Sequence, residues 1–379
     1  MTELKEICKV QCGFAFDSKK FTEDDSFSPL IRIRDVKRGF TQTYYTGEFS
    51  SEYIVHKGDL LVGMDGEFNI ARWNSEDALL NQRVCRIIAN SNINEEYLRF
   101  YLKRALKLIE SKTSFVTVKH LSAKELNGLK LNLPCMEDQQ CISKQLSILE
   151  LVIGKNKKVL ELFDELVKAR FVEMFGDPNI EFKYSSVKFN DLVARMTKGP
   201  FGSDMKKDLF VPKGENTYKV YIQINAIQKN QSLGEYYISK EYFDRKVSRF
   251  ELFPNDYIIT CDGTLGKYLK LDENMEKGVI SPSLLRLTLQ NDKINDKYFE
   301  NIWDFYMLGL MKKEARNACL VHLPSAKKIG EISIPVPPLE LQYQFASFVE
   351  EIDKSRSRIQ KSLEASQELF DSLMQEYFC

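Results

Sequence analysis

The segments GDLLVGMDG (58–66) and NDYIITCDG (255–263) decide the fold, because the second repeats the pattern of the first. Each contains an acidic residue, a short apolar run and then an Asp-Gly pair. The run is typical of a buried strand, and Asp65-Gly66 and Asp262-Gly263 are typical of the turns that end one. Since a repeat determines architecture before any single motif does, the whole chain has to be compared in this register.

The repeat continues on both sides of these segments. Matching residues occur in the same order in both halves, and the offset between them only grows, as loop insertions would cause. The further matches are Leu4 with Phe189, Glu6 with Asp191, Ile7 with Leu192, Asp35 with Asn225, Ile93 with Ile294, Asn94 with Asn295, Tyr97 with Tyr298, His120 with His322, Pro134 with Pro337, Glu137 with Glu340 and Gln139 with Gln342. The chain therefore contains two unequal copies of one unit, and their low identity means that they need not bind the same ligand.

The first part of each copy has the pattern of a globular α+β domain. Residues 31–34 alternate Ile and Arg, while 60–62 and 257–260 are mainly apolar, so all three are predicted strands. One short helix is expected in each copy, with Asn94 or Asn295 as its N-cap.

The second part of each copy is predicted to be one long helix that ends, in the first copy, at a stop signal in 175–178. Its apolar residues follow a 4-3 rhythm for some five heptads, roughly 60 Å at 1.5 Å per residue. They are Leu146, Leu149, Ile153, Val159, Leu160, Phe163, Val167 and Met174 in the first helix and Phe345, Val349, Ile352, Ile359, Leu363, Phe370, Leu373 and Tyr377 in the second. We expect the helices to pair with each other, because this length exceeds what one domain covers; packing of each helix on its own domain is the alternative.

The predicted fold is α+β, with two β-rich domains separated by two long helices that pair as an antiparallel coiled coil, and with an internal pseudo-twofold repeat. The predicted segments are a first domain at 1–134, a helical spacer at 135–176, a second domain at 177–337 and a second helical spacer at 338–379. Asn156 and Arg356 interrupt the helical seam. They either specify the pairing register or mark where a partner helix enters.

Composition limits the class of protein. In 379 residues the hydrophobic fraction is 43% and the charged fraction 28%, and no apolar run approaches the roughly 20 residues of a membrane span. The start MTELKEICKV lacks the features of a secretory signal, so a cytoplasmic location is expected. The 54 basic and 54 acidic residues cancel, which argues against a protein that coats nucleic acid by bulk charge. A protein that reads bases with one basic face remains allowed.

The eight cysteines are expected to be free thiols, because they are scattered through a long chain without a Cys-x-x-Cys pair. Cys8 and Cys12 lie four residues apart. Only His56, His120 and His322 are available to complete a metal site with them, so no metal is expected.

Two different globular domains held at a fixed separation suit a ligand that has two different binding sites at a fixed distance. Duplex DNA offers half-sites of this kind. Since the heads differ, a DNA site would be split and asymmetric. The alternatives are a two-headed protein-binding scaffold and a DNA methyltransferase or nuclease fused to such domains.

The order of these parts resembles the specificity subunit of type I restriction-modification enzymes over the whole chain. Besides the opening pair of segments, the resemblance rests on LNLPCMEDQQCISKQL (131–146) with IPVPPLELQYQFASFV (334–349), on ARFVEMFGDP (169–178) and on GPFGSDMKK (199–207). Two places depart from the family pattern. GFAFDSKK near the start matches more loosely than GPFGSDMKK, and Cys-Met replaces the usual Pro-Leu before the first long helix, which affects little beyond loop shape.

The resemblance implies two target-recognition domains, each reading half of a bipartite DNA sequence, and two helices that set the spacing. It also implies two methyltransferase (M) subunits that use S-adenosylmethionine to methylate adenine, and, in a full complex, two restriction (R) subunits that use ATP and Mg. This chain itself would bind no cofactor and would not be an enzyme. Its sequence accordingly has no Asn- or Asp-Pro-Pro-Tyr segment and no phosphate-binding loop, and Asp177-Pro178-Asn179 is interpreted as a helix stop.

Polar side chains near the predicted turns are candidates for contacts with base edges, since Arg suits guanine and Asn or Gln suits adenine. These candidates are Asn69, Arg72, Asn81, Gln82 and Arg83 in the first copy and Gln223, Asn225, Lys267, Ser281 and Ser283 in the second. Other basic residues are candidates for phosphate contacts. They are Lys19, Lys20, Arg32, Arg34, Lys206 and Lys207. An ordinary surface or turn role is the alternative for every residue in both sets.

Three phenylalanines lie beside flexible glycines. Phe14 and Phe16 follow Gly13, and Phe201 lies between Gly199 and Gly202. Each is either a wedge that enters a DNA groove or a core aromatic.

Overall fold

The computed structural model describes residues 1–66, 68–112, 121–228, 234–317 and 322–378, without the side chains of 112, 225 and 314–317. Its strands are β1 (Thr2–Glu3), β2 (Cys8–Cys12), β3 (Phe21–Thr22), β4 (Ser28–Ile31), β5 (Tyr44–Tyr45), β6 (Ile54–Val55), β7 (Leu60–Gly63), β8 (Asn69–Arg72), β9 (Ala78–Leu80), β10 (Val84–Ala89), β11 (Lys130–Leu131), β12 (Ser186–Lys188), β13 (Val193–Lys198), β14 (Thr217–Tyr221), β15 (Tyr236–Ser239), β16 (Tyr257–Thr260), β17 (Tyr268–Lys270), β18 (Gly278–Ile280), β19 (Leu284–Leu289) and β20 (Ser333–Pro335). The helices are α1 (Leu4–Ile7), α2 (Ile33–Arg38), α3 (Glu95–Lys112), α4 (Ala123–Asn127), α5 (Met136–Phe175), α6 (Gln223–Ala226), α7 (Lys240–Tyr242), α8 (Asp296–Ile302), α9 (Leu308–Asn317), α10 (Ala326–Gly330) and α11 (Leu339–Phe378).

The chain forms two compact units. Unit 1 contains Met1–Lys158 and Ile359–Cys379, and unit 2 contains Val159–Arg358. Each unit therefore includes a β-rich domain and one portion of each long helix. No helix in the described part of the chain has the length and apolar character needed to cross a bilayer.

Unit 1 is built on an antiparallel sheet with strand order β2-β10-β7-β8. Alternate side chains of this sheet, such as Leu60 and Val62, share a core with Tyr97, Leu98 and Leu102 of α3. A second sheet has the order β3-β5-β4-β9-β6 and includes the parallel pair β4 and β9. Strands β1 and β11 form a separate antiparallel pair.

Unit 2 repeats this topology. Its main sheet has the order β13-β19-β16-β17, and its second sheet, β15-β14-β18, contains the parallel pair β14 and β18. Strands β12 and β20 pair as β1 and β11 do. The internal repeat and the α+β class predicted from the sequence are thus confirmed.

The predicted strand at 31–34 is wrong. Strand β4 ends at Ile31, and α2 begins at Ile33. The Asp35 carboxylate accepts the backbone N–H of Arg32 at 2.9 Å, which stabilises the first turn of the helix, and Gly39 ends it with φ of 77°. The predicted strands at 60–62 and 257–260 are confirmed as β7 and β16.

The predicted N-caps are confirmed, but the helices that they begin are longer than expected. Asn94 accepts the N–H of Tyr97 at 3.0 Å, and Asn295 accepts that of Lys297 at 2.8 Å. Helix α3 has 18 residues. Helix α8 is continued by a π-helical segment at 303–307 and then by α9.

The long helices α5 and α11 each have 40 residues and run antiparallel where they meet. In unit 1, Leu146 and Ile153 of α5 share a buried cluster with Phe370 and Met374 of α11. The direction follows from two hydrogen bonds: the Tyr377 hydroxyl donates to the Gln145 amide oxygen at 3.2 Å, and the Asn156 amide donates to the Ser362 hydroxyl at 3.1 Å. Pairing of the two helices is therefore observed within this unit, and its coiled-coil geometry stays a prediction.

Unit 2 shows the same antiparallel contact. The rings of Phe171 on α5 and Phe345 on α11 lie 5.6 Å apart. Arg356 donates to Asp164 at 2.8 Å and lies over the Phe163 ring. Both seam residues singled out in the sequence, this arginine in unit 2 and the asparagine in unit 1, therefore pair with the opposite helix.

We expect Phe370→Ala to destabilise unit 1 by about 3–5 kcal/mol, because the ring is 5% exposed and packs on Phe100 of α3 with centroids 6.0 Å apart. Urea unfolding followed by circular dichroism measures this loss. Leu369→Ala is the matched control, since Leu369 is 50% exposed, and it should cost less than about 1 kcal/mol. Equal effects of the two substitutions would contradict the assignment of this α11 segment to the core of unit 1.

Candidate nucleic-acid interface

Loops of unit 1 converge where β7 ends. We call residues 13–16, 64–66, 81–83 and 121 the first loop cluster. Its backbone hydrogen bonds join Gly13 N to Val84 O at 3.0 Å, Gln82 N to Phe14 O at 2.9 Å, Met64 N to Arg83 O at 3.0 Å and Leu121 N to Met64 O at 2.7 Å. These bonds hold side chains from four separate segments on one surface.

Unit 2 builds the same arrangement where β16 ends. We call residues 199–204, 261–267, 281–283 and 322–323 the second loop cluster. Its corresponding bonds join Gly199 N to Leu284 O, Cys261 N to Ser283 O and Leu323 N to Cys261 O, each at 2.8 Å. The repeat therefore extends from the sheets to the loops that they carry.

A glycine is required at the same point of both clusters. A methyl group on Gly13 would lie 2.2 Å from the carbonyl oxygen of Asn81, and one on Gly199 would lie 2.0 Å from that of Ser281. Backbone approaches this close exclude any side chain. The sequence predicts only flexibility for these glycines, although a glycine at the start of both GFAFDSKK and GPFGSDMKK was a signal of the shared contact.

The Asp-Gly pairs form the predicted turns, since the glycines that follow Asp65 and Asp262 have φ of 71° and 70°. Each Asp also holds a side chain of its own cluster. Asp65 pairs with Arg83 at 3.1 Å, and Asp262 contacts Nδ1 of His322 at 2.5 Å. The turns thus position neighbouring polar groups. His120, the repeat counterpart of His322, lies outside the described residues.

The structure brings Asn81, Gln82 and Arg83 together in the first loop cluster. Gln82 and Arg83 are exposed, while Asn81 is half-buried and accepts the N–H of Gln82 at 2.8 Å. Asn69 begins β8, directly opposite Gly63 at the same end of the sheet. The first cluster therefore presents an amide and a guanidinium to the outside.

Arg72 does not belong to this group. It pairs with Leu60 in the β-ladder, at the opposite end of β8, and its guanidinium contacts Glu95 at 2.9 Å and Glu96. Desolvation raises the pKa of Glu96, but the guanidiniums of Arg99 and Arg72 outweigh it and lower that pKa below its usual value. The structure thus gives Arg72 a stabilising role between β8 and α3, and its contact with a base stays a prediction.

In the second cluster, Lys267 is exposed and Ser283 half-buried. Gln223 of α6 is linked to the cluster, because its Nε2 donates to Thr264 Oγ1 at 2.9 Å. The side chain of Asn225 lies outside the described residues. Three of the predicted candidates of the second copy therefore meet on one surface.

Ser281 is a poor candidate for base contact, because it is 5% exposed and its hydroxyl lies 3.2 Å from that of Ser283. Its role is to carry the carbonyl on which Gly199 packs. Burial raises the pKa of the Cys261 thiol to about 12, so this thiol stays protonated at neutral pH.

The predicted phosphate ligands are exposed. Lys19 and Lys20 lie in a short helical turn capped by Asp17, close in sequence to the first cluster, and Lys206 and Lys207 follow the second. Arg32 and Arg34 instead line an open cleft of about 690 Å³. Glu23 and Asp25 line the same cleft, so its charge is mixed and less suited to phosphate.

The three phenylalanines have different fates. Phe16 is 6% exposed and packs on Tyr45, so it is a core aromatic. Phe14 is 50% exposed and Phe201 is 77% exposed.

Among the described residues, no group of three or more His, Cys, Asp and Glu side chains is arranged to hold a metal ion.

Two copies of one loop cluster, each on its own β-rich domain and each with different exposed side chains, define a protein with two separate recognition surfaces. Comparison with known proteins identifies its family. The type I restriction modification DNA specificity domain matches residues 1–162 and again 202–367. The chain belongs to this family, with two copies of its domain.

Curated relatives agree with this assignment. The chain is 28% identical to the type I restriction enzyme EcoBI specificity subunit of Escherichia coli, over 95% of this chain and 80% of that protein. It is 24% identical to the putative MjaX specificity subunit of Methanocaldococcus jannaschii, over 95% of this chain and 89% of that protein.

Solved structures share the fold. The S subunit of a type I restriction-modification system from M. genitalium covers 100% of this chain, with a TM-score of 0.59 at 14% identity and 95% of its own length. A chain from a structural study of type I complex assembly and conformational transition also covers 100% of it, with a TM-score of 0.51 at 14% identity and 96% of its own length.

We expect Gly199→Ala to distort the second loop cluster and to destabilise unit 2 by roughly 1–3 kcal/mol, because the new methyl group collides with the Ser281 carbonyl. Chemical unfolding measures the change. Gly202→Ala in the same loop is the matched control, since no atom lies within 4 Å of its added methyl group. A Gly199→Ala protein as stable as this control would refute the close backbone contact.

Proposed function

We propose that this chain is the DNA-reading specificity subunit of a type I restriction-modification complex, in which each unit reads one half of a split, asymmetric sequence. The observation that carries the proposal is the duplicated loop cluster with different exposed groups in its two copies. The first presents the exposed Gln82 and Arg83, which suit adenine and guanine, and the second presents the exposed Lys267 beside the half-buried Ser283. Different donors and acceptors recognise different bases, so the halves of the site differ.

Local charge supplies the non-specific part of binding. The whole chain is neutral, but Lys19 and Lys20 near the first cluster and Lys206 and Lys207 near the second are exposed. Contacts from such side chains to phosphates fix position without reading sequence. We further propose the division into recognition domains at 1–134 and 177–337 with helical spacers at 135–176 and 338–379, the spacers setting the distance between half-sites.

Two M subunits are the proposed partners of the helices. Helix α5 exposes Ile148 and Leu151 by 53% and 58% in unit 1, and Leu162 and Leu166 by 47% and 46% in unit 2. Large apolar side chains exposed together at helical spacing are typical of a protein interface. One such pair in each unit gives each M subunit its own docking position.

Catalysis is assigned to the partners. We propose that this chain binds no cofactor, that S-adenosylmethionine binds to the M subunits, and that ATP and Mg bind to R subunits where these are present. The complex is placed in the cytoplasm, in contact with DNA. This division of labour agrees with a chain built of two loop clusters and two long helices, without a phosphate-binding loop or an adenine-methylation motif in its sequence.

The central experiment expresses this chain with its M subunit in cells that lack DNA methylation and maps N6-methyladenine across the genome. We expect a split, asymmetric motif. Exchange of residues 1–134 for another recognition domain should change one half of the motif and leave the other half intact. An assembled, cofactor-bound complex that modifies no motif would refute the proposal and favour the protein-binding scaffold.

The docking surface is tested by Leu151→Glu, which places a charge in the proposed apolar contact and should weaken binding of the M subunit at least about tenfold. Isothermal titration calorimetry measures the affinity. Lys157→Gln changes the charge of α5 by the same amount at an exposed position on another face and should leave the affinity unchanged. Equal affinities for the two variants would place the M subunit elsewhere.

A further inference from the structure

Phe201 is a large apolar side chain held in the solvent. It exposes 77% of its surface in the second loop cluster, and no aromatic ring in the described part of the chain packs on it. Full burial of a side chain of this kind stabilises a protein by roughly 1.5–3 kcal/mol, and unit 2 does not gain this stabilisation from Phe201. An exposed ring of this size inside a candidate binding surface is therefore a candidate contact in its own right.

The loop that carries Phe201 is anchored at both ends. On one side the Gly199 backbone is fixed to Leu284 at 2.8 Å. On the other, the Tyr242 hydroxyl donates to the Asp204 carbonyl at 3.0 Å, and the Asp204 N–H donates to the Phe201 carbonyl at 2.9 Å. Because its backbone is already ordered, this ring would lose little conformational entropy on binding.

The surroundings of the ring favour a polyanion. Lys198, Lys206 and Lys207 are exposed, and none of them forms an ion pair with any described residue. Asp208 is the opposing exposed charge of the loop, whereas Asp204 faces Lys246 at 3.7 Å. The positive excess around an exposed aromatic ring is complementary to phosphates on either side of stacked bases.

The first unit presents an aromatic ring from the equivalent loop. Phe14 follows Gly13, is 50% exposed, and is supported by Phe16 and Tyr53 with centroids 5.2 and 5.3 Å away. In both copies, a glycine that packs closely on a backbone carbonyl is thus followed by an outward-facing phenylalanine. The recurrence in two otherwise divergent copies argues against an accidental exposed side chain.

We infer that Phe201 enters a groove of the bound duplex and wedges between two neighbouring base pairs of the second half-site. This inference rests on the proposed DNA-reading function and adds a mechanism to it. The ring unstacks one base step, and the duplex kinks there, which brings more backbone within reach of the lysines around the loop. Specificity then depends partly on how easily that step opens.

The test uses the full chain assembled with its M subunit and duplexes that carry the mapped recognition motif. 2-Aminopurine replaces one adenine at a time, and its fluorescence reports unstacking at that position. 2-Aminopurine at the adenine that is the methylation target gives the first signal, because the M subunit flips that base out. We expect a second signal inside the second half-site, which Phe201→Ala abolishes without affecting the first signal.

The same variant should bind the duplex about 10- to 100-fold more weakly, and Phe201→Tyr, which keeps the ring, should restore both affinity and signal. Phe253→Ala is the matched control. Phe253 is 45% exposed in the same unit, but it precedes the other end of β16 and should leave both readouts unchanged.

Three outcomes would overturn the inference. If Phe201→Ala changes neither the affinity nor the signal, the ring has no role in binding. If Phe201→Ala binds more weakly but the wild-type complex gives no second signal, the ring contacts DNA without entering the base stack. Failure of the wild-type complex to bind duplex overturns the proposed function together with the wedge. The first two outcomes leave the proposed function intact, so the failures are distinguishable.

Discussion

The recognition surfaces depend on one close contact between two stretches of backbone. Gly13 lies against the Asn81 carbonyl and Gly199 against that of Ser281, at distances that leave no room for a side chain. Each contact ties the loop after the first strand of the main sheet to the turn before its neighbour. Together with the backbone hydrogen bonds of each cluster, it fixes the segments 81–83 and 281–283 relative to the loops beside them. The side chains that differ between the two copies are thus carried by a backbone contact that both copies share, so the copies can present different groups.

Much of the fold followed from the sequence because its signals are local or repeated. The strands at 60–62 and 257–260, the caps at Asn94 and Asn295 and the end of α5 all depend on residues within a few positions of one another. The strand predicted at 31–34 failed because alternation of Ile and Arg was given more weight than Asp35, whose carboxylate caps a helix there. Pairing of the long helices was predictable because both carry an apolar seam with the same spacing.

The candidate site was less predictable, because its members come from distant segments. Sequence alone could not show that Arg72 faces Glu95 and Glu96, or that Ser281 is buried, since both facts depend on which end of a strand each residue occupies. The same limit applies to the phenylalanines, for which the sequence left two roles open. The structure divides them, because Phe16 fills a core and Phe201 does not. Periodicity reports which face of an element is buried, but not which loops meet beyond its end.

Because residues 359–378 belong to unit 1, the two units can be completed only in a certain order during synthesis. Unit 2 is contiguous in the chain, so all of its residues are made before residue 359. Unit 1 is different, because Phe370, Met374 and Phe378 are made after the whole of unit 2 yet pack against residues made near the beginning. The core of unit 1 therefore cannot be completed until residues 359–378 of α11 have been made. A chain interrupted between residues 359 and 370 would have all the residues of unit 2 but an open unit 1, and its exposed apolar surface would mark it for removal by chaperones and proteases.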